Sequence, residues 1–267
     1  MSVSMPSSGP SNGLSNWRGM LTLFNKEVRR FMRVTVQTLL TPIVTSLLYL
    51  LVFGQALEAH VQVFPGVSYI AFLIPGLIMM SIIQNAFANS SSSLIQSKIS
   101  GSLVFVLVAP LSSLEIYLAF VGAAVLRGVL VGLGVYLTVR WFVDLPLFSF
   151  SHVLVFALLA SAILGSMGLI GALWADHFEQ LAAFQNFIIL PLSFLSGVFY
   201  SIHSLPPFWH AISRFNPFFY MIDGFRYGFF GTSDVTPALS LAVTLIFLLL
   251  NAGLALVILY KGYKIRR

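Results

Sequence analysis

Six apolar stretches, each of about twenty residues, run through this chain, and almost every Lys and Arg lies outside them. They are Val34 to Phe53, Tyr69 to Ser90, Ile116 to Val139, Val153 to Trp174, Leu181 to Tyr200 and Leu239 to Tyr260. A hydrocarbon core about 30 Å thick takes about 20 helical residues to cross. No water there satisfies an open backbone, so stretches of this kind fold as helices. The expected fold is an all-α integral membrane protein with six transmembrane helices. Hydrophobic residues make up 58% of the chain and charged residues 8%. Soluble domains carry about 25% charged residues, so a water-soluble core is excluded. With no cysteine, disulfide frameworks and thiolate chemistry are excluded as well.

The net charge of +6 does not point to nucleic acid, because the cations cluster beside the spans instead of lining a groove. It suits an anionic leaflet. With the N-terminus in the cytoplasm, Arg18, Lys26, Arg29, Arg30, Arg33, Lys98, Lys261, Lys264, Arg266 and Arg267 are inside. Arg140, Arg214 and Arg226 are outside, and Arg127 sits within a span. This is a positive-inside bias. Basic residues at both termini also require an even number of crossings. The expected location is an inner (plasma) membrane with both termini cytoplasmic.

Residues 1–16 are rich in Ser, Pro, Gly and Asn and read as a flexible tail. Residues 17–33 form a basic amphipathic helix. Trp17, Met20, Leu21, Phe24, Val28, Phe31 and Met32 share one side, and Arg18, Lys26, Arg29, Arg30 and Arg33 the other. Such helices lie in the membrane interface. Residues 34–267 read as the six-span transmembrane domain. Its longest outer segment, Ser201 to Ala238, is too aromatic for a solvated loop. Pro206-Pro207, Asn216-Pro217 and Gly231 divide it into short helices at about Pro207 to Phe215 and Phe218 to Phe230. Either these dip into the outer leaflet as re-entrant helices, or the rings form an ordinary aromatic belt.

Several chemistries are missing. The chain has no G-x-x-x-x-G-K-[ST] and no H-E-x-x-H, and its histidines lack metal-ligand spacing. No Asp or Glu lies mid-span, which argues against a coupled secondary carrier. Ser196-Gly197 late in the fifth stretch, with His152 and His203 near the same face, leaves an intramembrane serine hydrolase as a remote reading.

Other features suggest mechanism. The inner connection Ser91 to Glu115 reads as a helix, a turn and a return to the membrane. It either inserts into a partner's groove or packs under its own spans. Arg127, central in the third stretch, costs roughly 2.5 kcal/mol or more in lipid and must face protein, water or a carbonyl. Helix carbonyls, Gln84 and Asn85 are the candidate partners, and an interhelical clamp is preferred to a substrate site. Gly128 and Gly132, and Ser161, Gly165, Gly168 and Gly171, read as close-packing surfaces.

Several segments together carry a family resemblance. They are Phe24-Asn25-Lys26-Glu27-Val28-Arg29-Arg30-Phe31, Ile74-Pro75-Gly76-Leu77-Ile78-Met79-Met80 and Val108-Ala109-Pro110-Leu111. Ser196-Gly197-Val198-Phe199-Tyr200, Leu205-Pro206-Pro207-Phe208-Trp209 and Asn216-Pro217 with Gly224-Phe225-Arg226-Tyr227-Gly228 complete the set. From Trp17 to Lys264 the chain resembles the ABC-2 type permeases, with the type V exporter fold. The resemblance implies a homodimer served by two copies of a separate cytoplasmic ABC ATPase, which holds ATP and Mg. No cofactor belongs to this chain, and its remaining partner is membrane lipid.

The segment Gln96, Lys98, Ile99, Ser100, Gly101, Ser102 and Leu103 would couple to that ATPase, and Lys26, Arg29, Arg30 and Arg33 would mark the connecting helix. After Lys98, where relatives often carry charges, this chain has Gly101-Ser102-Leu103-Val104-Phe105. Phe208, Trp209, Phe218, Phe219, Tyr220 and Phe225 would form an outer gate. Spans two and five would line a path at the dimer interface through Met79, Met80, Gln84, Phe87, Phe184, Phe187 and Phe194, unless these residues are plain helix packing.

The leading expectation is the membrane subunit of an ATP-driven exporter. It would move an amphipathic, lipid-linked or drug-like substrate out of the cytoplasm or inner leaflet. An ATP-independent channel or secondary carrier is the alternative. The topology has a clean test because the chain lacks native cysteine. A cysteine engineered at Ser2 or Arg267 should react with an impermeant thiol reagent only after the cell is opened. Labelling from outside would overturn the orientation.

Overall fold

The computed structural model describes residues 16–57, 63–64 and 66–262. The expectations for the tail before residue 16, for the outer connection at residues 58–62 and for Lys264, Arg266 and Arg267 lie outside the described residues. Every regular element among them is helical: α1 (Trp17–Met32), α2 (Thr35–Leu57), α3 (Tyr69–Ile99), α4 (Leu103–Val108), α5 (Ser113–Val139) and α6 (Phe150–Trp174), then α7 (Phe178–Phe184), α8 (Leu190–Phe194), α9 (Pro207–Phe215), α10 (Pro217–Phe230) and α11 (Pro237–Lys261). Side chains set several boundaries. Asn16, read from sequence as the end of the tail, caps α1 by accepting from the Gly19 amide at 3.0 Å. Ser112 and Glu115 form a reciprocal capping box that starts α5.

Helix α3 is the hub. It touches α2, α5, α6 and α10, and 83% of its apolar window is buried. Small residues let its neighbours approach closely. A Cβ on Gly168 of α6 would stand 2.5 Å from the Phe87 carbonyl oxygen, and one on Gly128 of α5 would stand 2.7 Å from the Ser161 hydroxyl. The small-residue stripes therefore pack helices together. By contrast α2 and α11 keep most of their apolar windows outside the core, at 11% and 17% buried.

Two expectations change. The second stretch does not stop near Ser90. Helix α3 continues unbroken to Ile99, so the helix expected at the start of the inner connection is the end of this span, with Ser91 and Ser93 buried. The fifth stretch is helical over 178–194 but contains a π-type turn, and its helix ends at Phe194, short of Tyr200. Among the described residues five helices are long and apolar enough to cross a membrane: α2, α3, α5, α6 and α11. Where the sixth was expected, α7 passes into a wider π-type turn over Gln185–Ile189 before the short α8. Pro191 explains the wider turn, since it has no amide proton and its ring crowds the carbonyl one turn earlier. The Leu190 amide accordingly reaches back five residues, to the Gln185 carbonyl.

Carbonyls at and beyond the helix end at Phe194 find side-chain donors instead. Asn216 Nδ2 donates to Leu192 O at 2.7 Å, Arg226 Nη2 to Gly197 O at 2.7 Å, and Tyr69 Oη to Phe199 O at 2.9 Å. Irregular backbone at membrane depth is tolerated when protein groups satisfy it in this way. The two outer short helices form where the punctuation places them, as α9 and α10.

The close approach of α3 and α6 yields a prediction. Gly168→Val forces two branches against the Phe87 backbone, which cannot move aside like a side-chain tip. The variant should lose about 1–3 kcal/mol of stability, read as a lower unfolding midpoint in detergent. A midpoint equal to that of the native chain would show that the helices are not held at this distance.

Candidate functional site

A polar space lies between α2, α3 and α5. It is a cavity of about 680 Å³, within the range of ligand pockets, about 300–1,000 Å³. Helix α2 supplies Thr38, Thr41, Thr45 and Ser46 from one face; α3 supplies Met80, Ser81, Gln84 and Asn85; Arg127 enters from α5 and Arg30 from α1. The other face of α2 is exposed and apolar, with Val36, Leu40, Val44, Leu48 and Leu51 about one turn apart. The hydroxyl spacing along α2 was the signal for this wall, and an all-apolar reading of the span overlooks it.

Arg127 meets one of its expected partners: its Nη2 donates to Asn85 Oδ1 at 3.2 Å. Arg30 departs from expectation. Instead of lying on a solvent face it turns inward, with Nη2 donating to the Asn89 carbonyl at 2.8 Å and to Asn89 Oδ1 at 3.1 Å, and Nη1 to Ser92 Oγ at 3.2 Å. Its Nε pairs with Glu27 at 3.3 Å. Glu27 itself is fully buried on the face of α1 that also carries Leu23 and Phe31. Lys26, Arg29 and Arg33 remain exposed. The apolar side of α1 packs on α5, where Phe24 lies against Gly122, and so is not wholly committed to lipid.

The expected pathway set splits three ways. Met80 and Gln84 line the cavity. Met79 and Phe87 are sealed in the core, and Phe87 stacks on Phe184 with ring centroids 5.8 Å apart. Phe187 and Phe194 face outward. On α3, Met79 and Phe87 therefore face neighbouring helices, while Met80 and Gln84 face the space beside α2. The outer aromatic set divides as well. Phe218, Phe219 and Phe225 are core residues, Phe208 and Trp209 are exposed, and the Tyr220 hydroxyl donates to Arg214 O at 2.8 Å. These six do not converge on one opening.

Beneath them lies a network that the sequence did not single out. Asp223 Oδ1 accepts from the Asp234 amide at 2.7 Å, and its Oδ2 from the Val235 amide at 3.3 Å and the Ser240 hydroxyl at 3.2 Å. Burial pushes this carboxyl up to about 6, against the pull of the two amides and of Arg226. Arg226 is fully buried over the Phe72 ring, 3.8 Å from its centroid. The network ties α10 to α11, α3 and the end of the fifth stretch. The hydrolase reading fails here. Ser196 is fully buried and donates to the Ser193 carbonyl, while His152 pairs with Ser149 and His203 with Asp234.

At the inner end, Gln96 and Ile99 close α3, and Gly101 follows at φ +72°, a conformation that costs any other residue strain. Leu103 is buried and starts α4. Gln96, Ile99, Ser100 and Gly101 are exposed, as are Val104, Phe105 and Val108 of α4. Lys98 is not free. Its Nζ donates to Leu173 O at 3.1 Å, Ala175 O at 2.6 Å and Asp176 Oδ1 at 3.4 Å. It thereby neutralises the carbonyl end of α6, where a cation is favoured.

Residues 18–230 match the ABC-2 type transporter family. The chain is similar to the protein named inner membrane transport permease YadH of Escherichia coli strain K12, at 38% identity over 232 residues, 87% of this chain and 91% of that protein. It is also similar to nodulation protein J of Rhizobium meliloti strain 1021, at 24% identity over 218 residues, 81% of this chain and 82% of that protein.

The Lys98 clamp gives a prediction independent of any partner. Lys98→Met strands the Leu173 and Ala175 carbonyls and should destabilise the purified chain by about 1–3 kcal/mol. Unchanged thermal unfolding would show that Lys98 does not cap α6 in solution.

Proposed function

The chain belongs to the ABC-2 type transporter family, and from that premise we propose that it is the membrane subunit of an ATP-driven exporter energised by a separate ABC ATPase. The observation that carries the proposal is the exposed apolar surface of α4. Phe105 and Val108 are each 79% exposed, with Val104 and Ile99 beside them. This surface directly follows the hub helix, so force applied there reaches the packed core. An apolar helix face of this kind fits a hydrophobic groove on a partner. With Lys98 committed to α6, the docking contact is apolar, centred on α4 and not on the turn at Lys98 to Ser102. Lys26 and Arg29, exposed on α1, add a second, electrostatic contact.

In this reading the polar cavity beside α2 is part of the cargo route. The exposed apolar face of α2 is where a second copy of the chain closes that route. Phe178 to Phe194, a helix with a π-type turn, provides the remaining crossing, and both termini are cytoplasmic. Polar and apolar walls suit an amphipathic cargo moving outward. ATP and Mg belong to the partner, since the chain has no phosphate-binding loop of its own.

The test is co-purification with the partner ATPase and ATP-driven transport in vesicles. Phe105→Asp should cut ATPase association by at least about tenfold, because the variant buries a charge without a counter-charge. The chain should still fold, since the side chain faces outward. Native association and transport in this variant would place the docking surface elsewhere.

A further inference from the structure

Among the described residues, the cavity between α2, α3 and α5 is lined by two arginines and by no acid. Their supports are one turn apart on α3. Arg127 is held at Asn85 and Arg30 at Asn89, about 6 Å along the helix axis. The two cations differ in how their charge is met. Arg30 has Glu27 at 3.3 Å. Arg127 has an amide oxygen, and its buried Nε has no hydrogen-bond partner. Asn85 is fixed in turn, its Nδ2 donating to Ser81 O at 3.1 Å. An amide in this position orients a guanidinium without cancelling its charge. A carboxylate would have done both. The result is a preoriented cation at membrane depth with donors still to satisfy, which is costly unless an anion arrives.

We infer that Arg127 and Arg30 form a receptor for a phosphate-type oxyanion, the charged end of a phosphate ester that enters this cavity. A guanidinium fork presents paired donors matched to phosphate oxygens. The hydroxyls of Thr41 and Thr45 and the Gln84 amide line the same space and add neutral donors. Leu77, Met80 and Leu190 line its apolar part and suit a hydrocarbon tail. The inference deepens the transport reading and rests on it for the ligand's role as cargo, because the cavity is the route in that reading.

Binding can be measured on the purified full chain in a neutral maltoside detergent, without the ATPase. Dodecyl phosphate, inorganic phosphate and uncharged dodecanol are titrated while thermal unfolding is followed. Dodecyl phosphate should raise the unfolding midpoint saturably, and dodecanol should not. Arg127→Gln, which can keep a donor to Asn85, should weaken dodecyl phosphate by at least about tenfold. Arg127→Lys should fall between the two. Thr41→Phe, which fills the cavity and leaves both charges in place, should abolish the effect; it also covers the case in which Arg127→Gln does not fold.

Inorganic phosphate as potent as the dodecyl ester would uphold the receptor and assign a soluble phosphate ester as ligand. Weaker inorganic phosphate would uphold it and assign an amphiphile. Equal shifts from dodecanol, or native affinity in either Arg127→Gln or Thr41→Phe, would overturn the inference. Loss of phosphate binding with intact ATPase coupling removes this site alone. Phosphate binding without ATPase association removes only the exporter reading.

Discussion

The contact between α3 and α6 at Gly168 brings a helix surface within reach of the Phe87 backbone, and the rest of the protein is arranged around the helix so held. Lipid tails are as apolar as leucine side chains, so helices in a bilayer gain little from burying apolar surface against one another. They gain from close, well-matched packing. Small residues on α5 and α6 provide that match, and α3 becomes enclosed. Its buried serines at positions 90, 91 and 93 are part of the same close packing.

Enclosing α3 decides what the other elements can do. Helices α2 and α11 remain peripheral, each with an apolar face still open. The polar cavity forms where α2 leans on α3 and α5 with its threonine side inward. The inner end of α3 projects past the packed core to present α4, while Lys98 fastens that end to the last carbonyls of α6.

Polar groups at membrane depth are few, and the structure gives most of them a backbone duty. Arg226, Asn216 and Tyr69 each serve a carbonyl at or beyond the end of α8 at Phe194. Asp223 fastens the turn after α10 to α11. Arg127 stands apart, because its support is a side-chain amide and its charge has no acid beside it. This contrast singles it out as a binding group among structural ones.

Much of the architecture was legible in the sequence. Hydropathy and length alone place α2, α5, α6 and α11, and the Pro and Gly punctuation places α9 and α10 to within about a residue. Asn85 as a partner of Arg127 was also legible, because a cation inside a span has few polar groups to choose from. What the sequence left open depended on which faces meet. A uniformly apolar helix such as α3 has no period to separate a core face from a path-lining one, so Met79 and Phe87 could be sorted from Met80 only by packing. Arg30 follows a helical pattern that puts it outside, yet Asn89 and Ser92, some sixty residues away, draw it in. Pro191 announced a distortion, but that it takes the form of a π-type turn within a continuing helix is visible only in the folded backbone. One-dimensional pattern reports what lipid demands of a segment. The pairing of its polar groups is decided by neighbours that only the folded chain brings within 3 Å or so of one another.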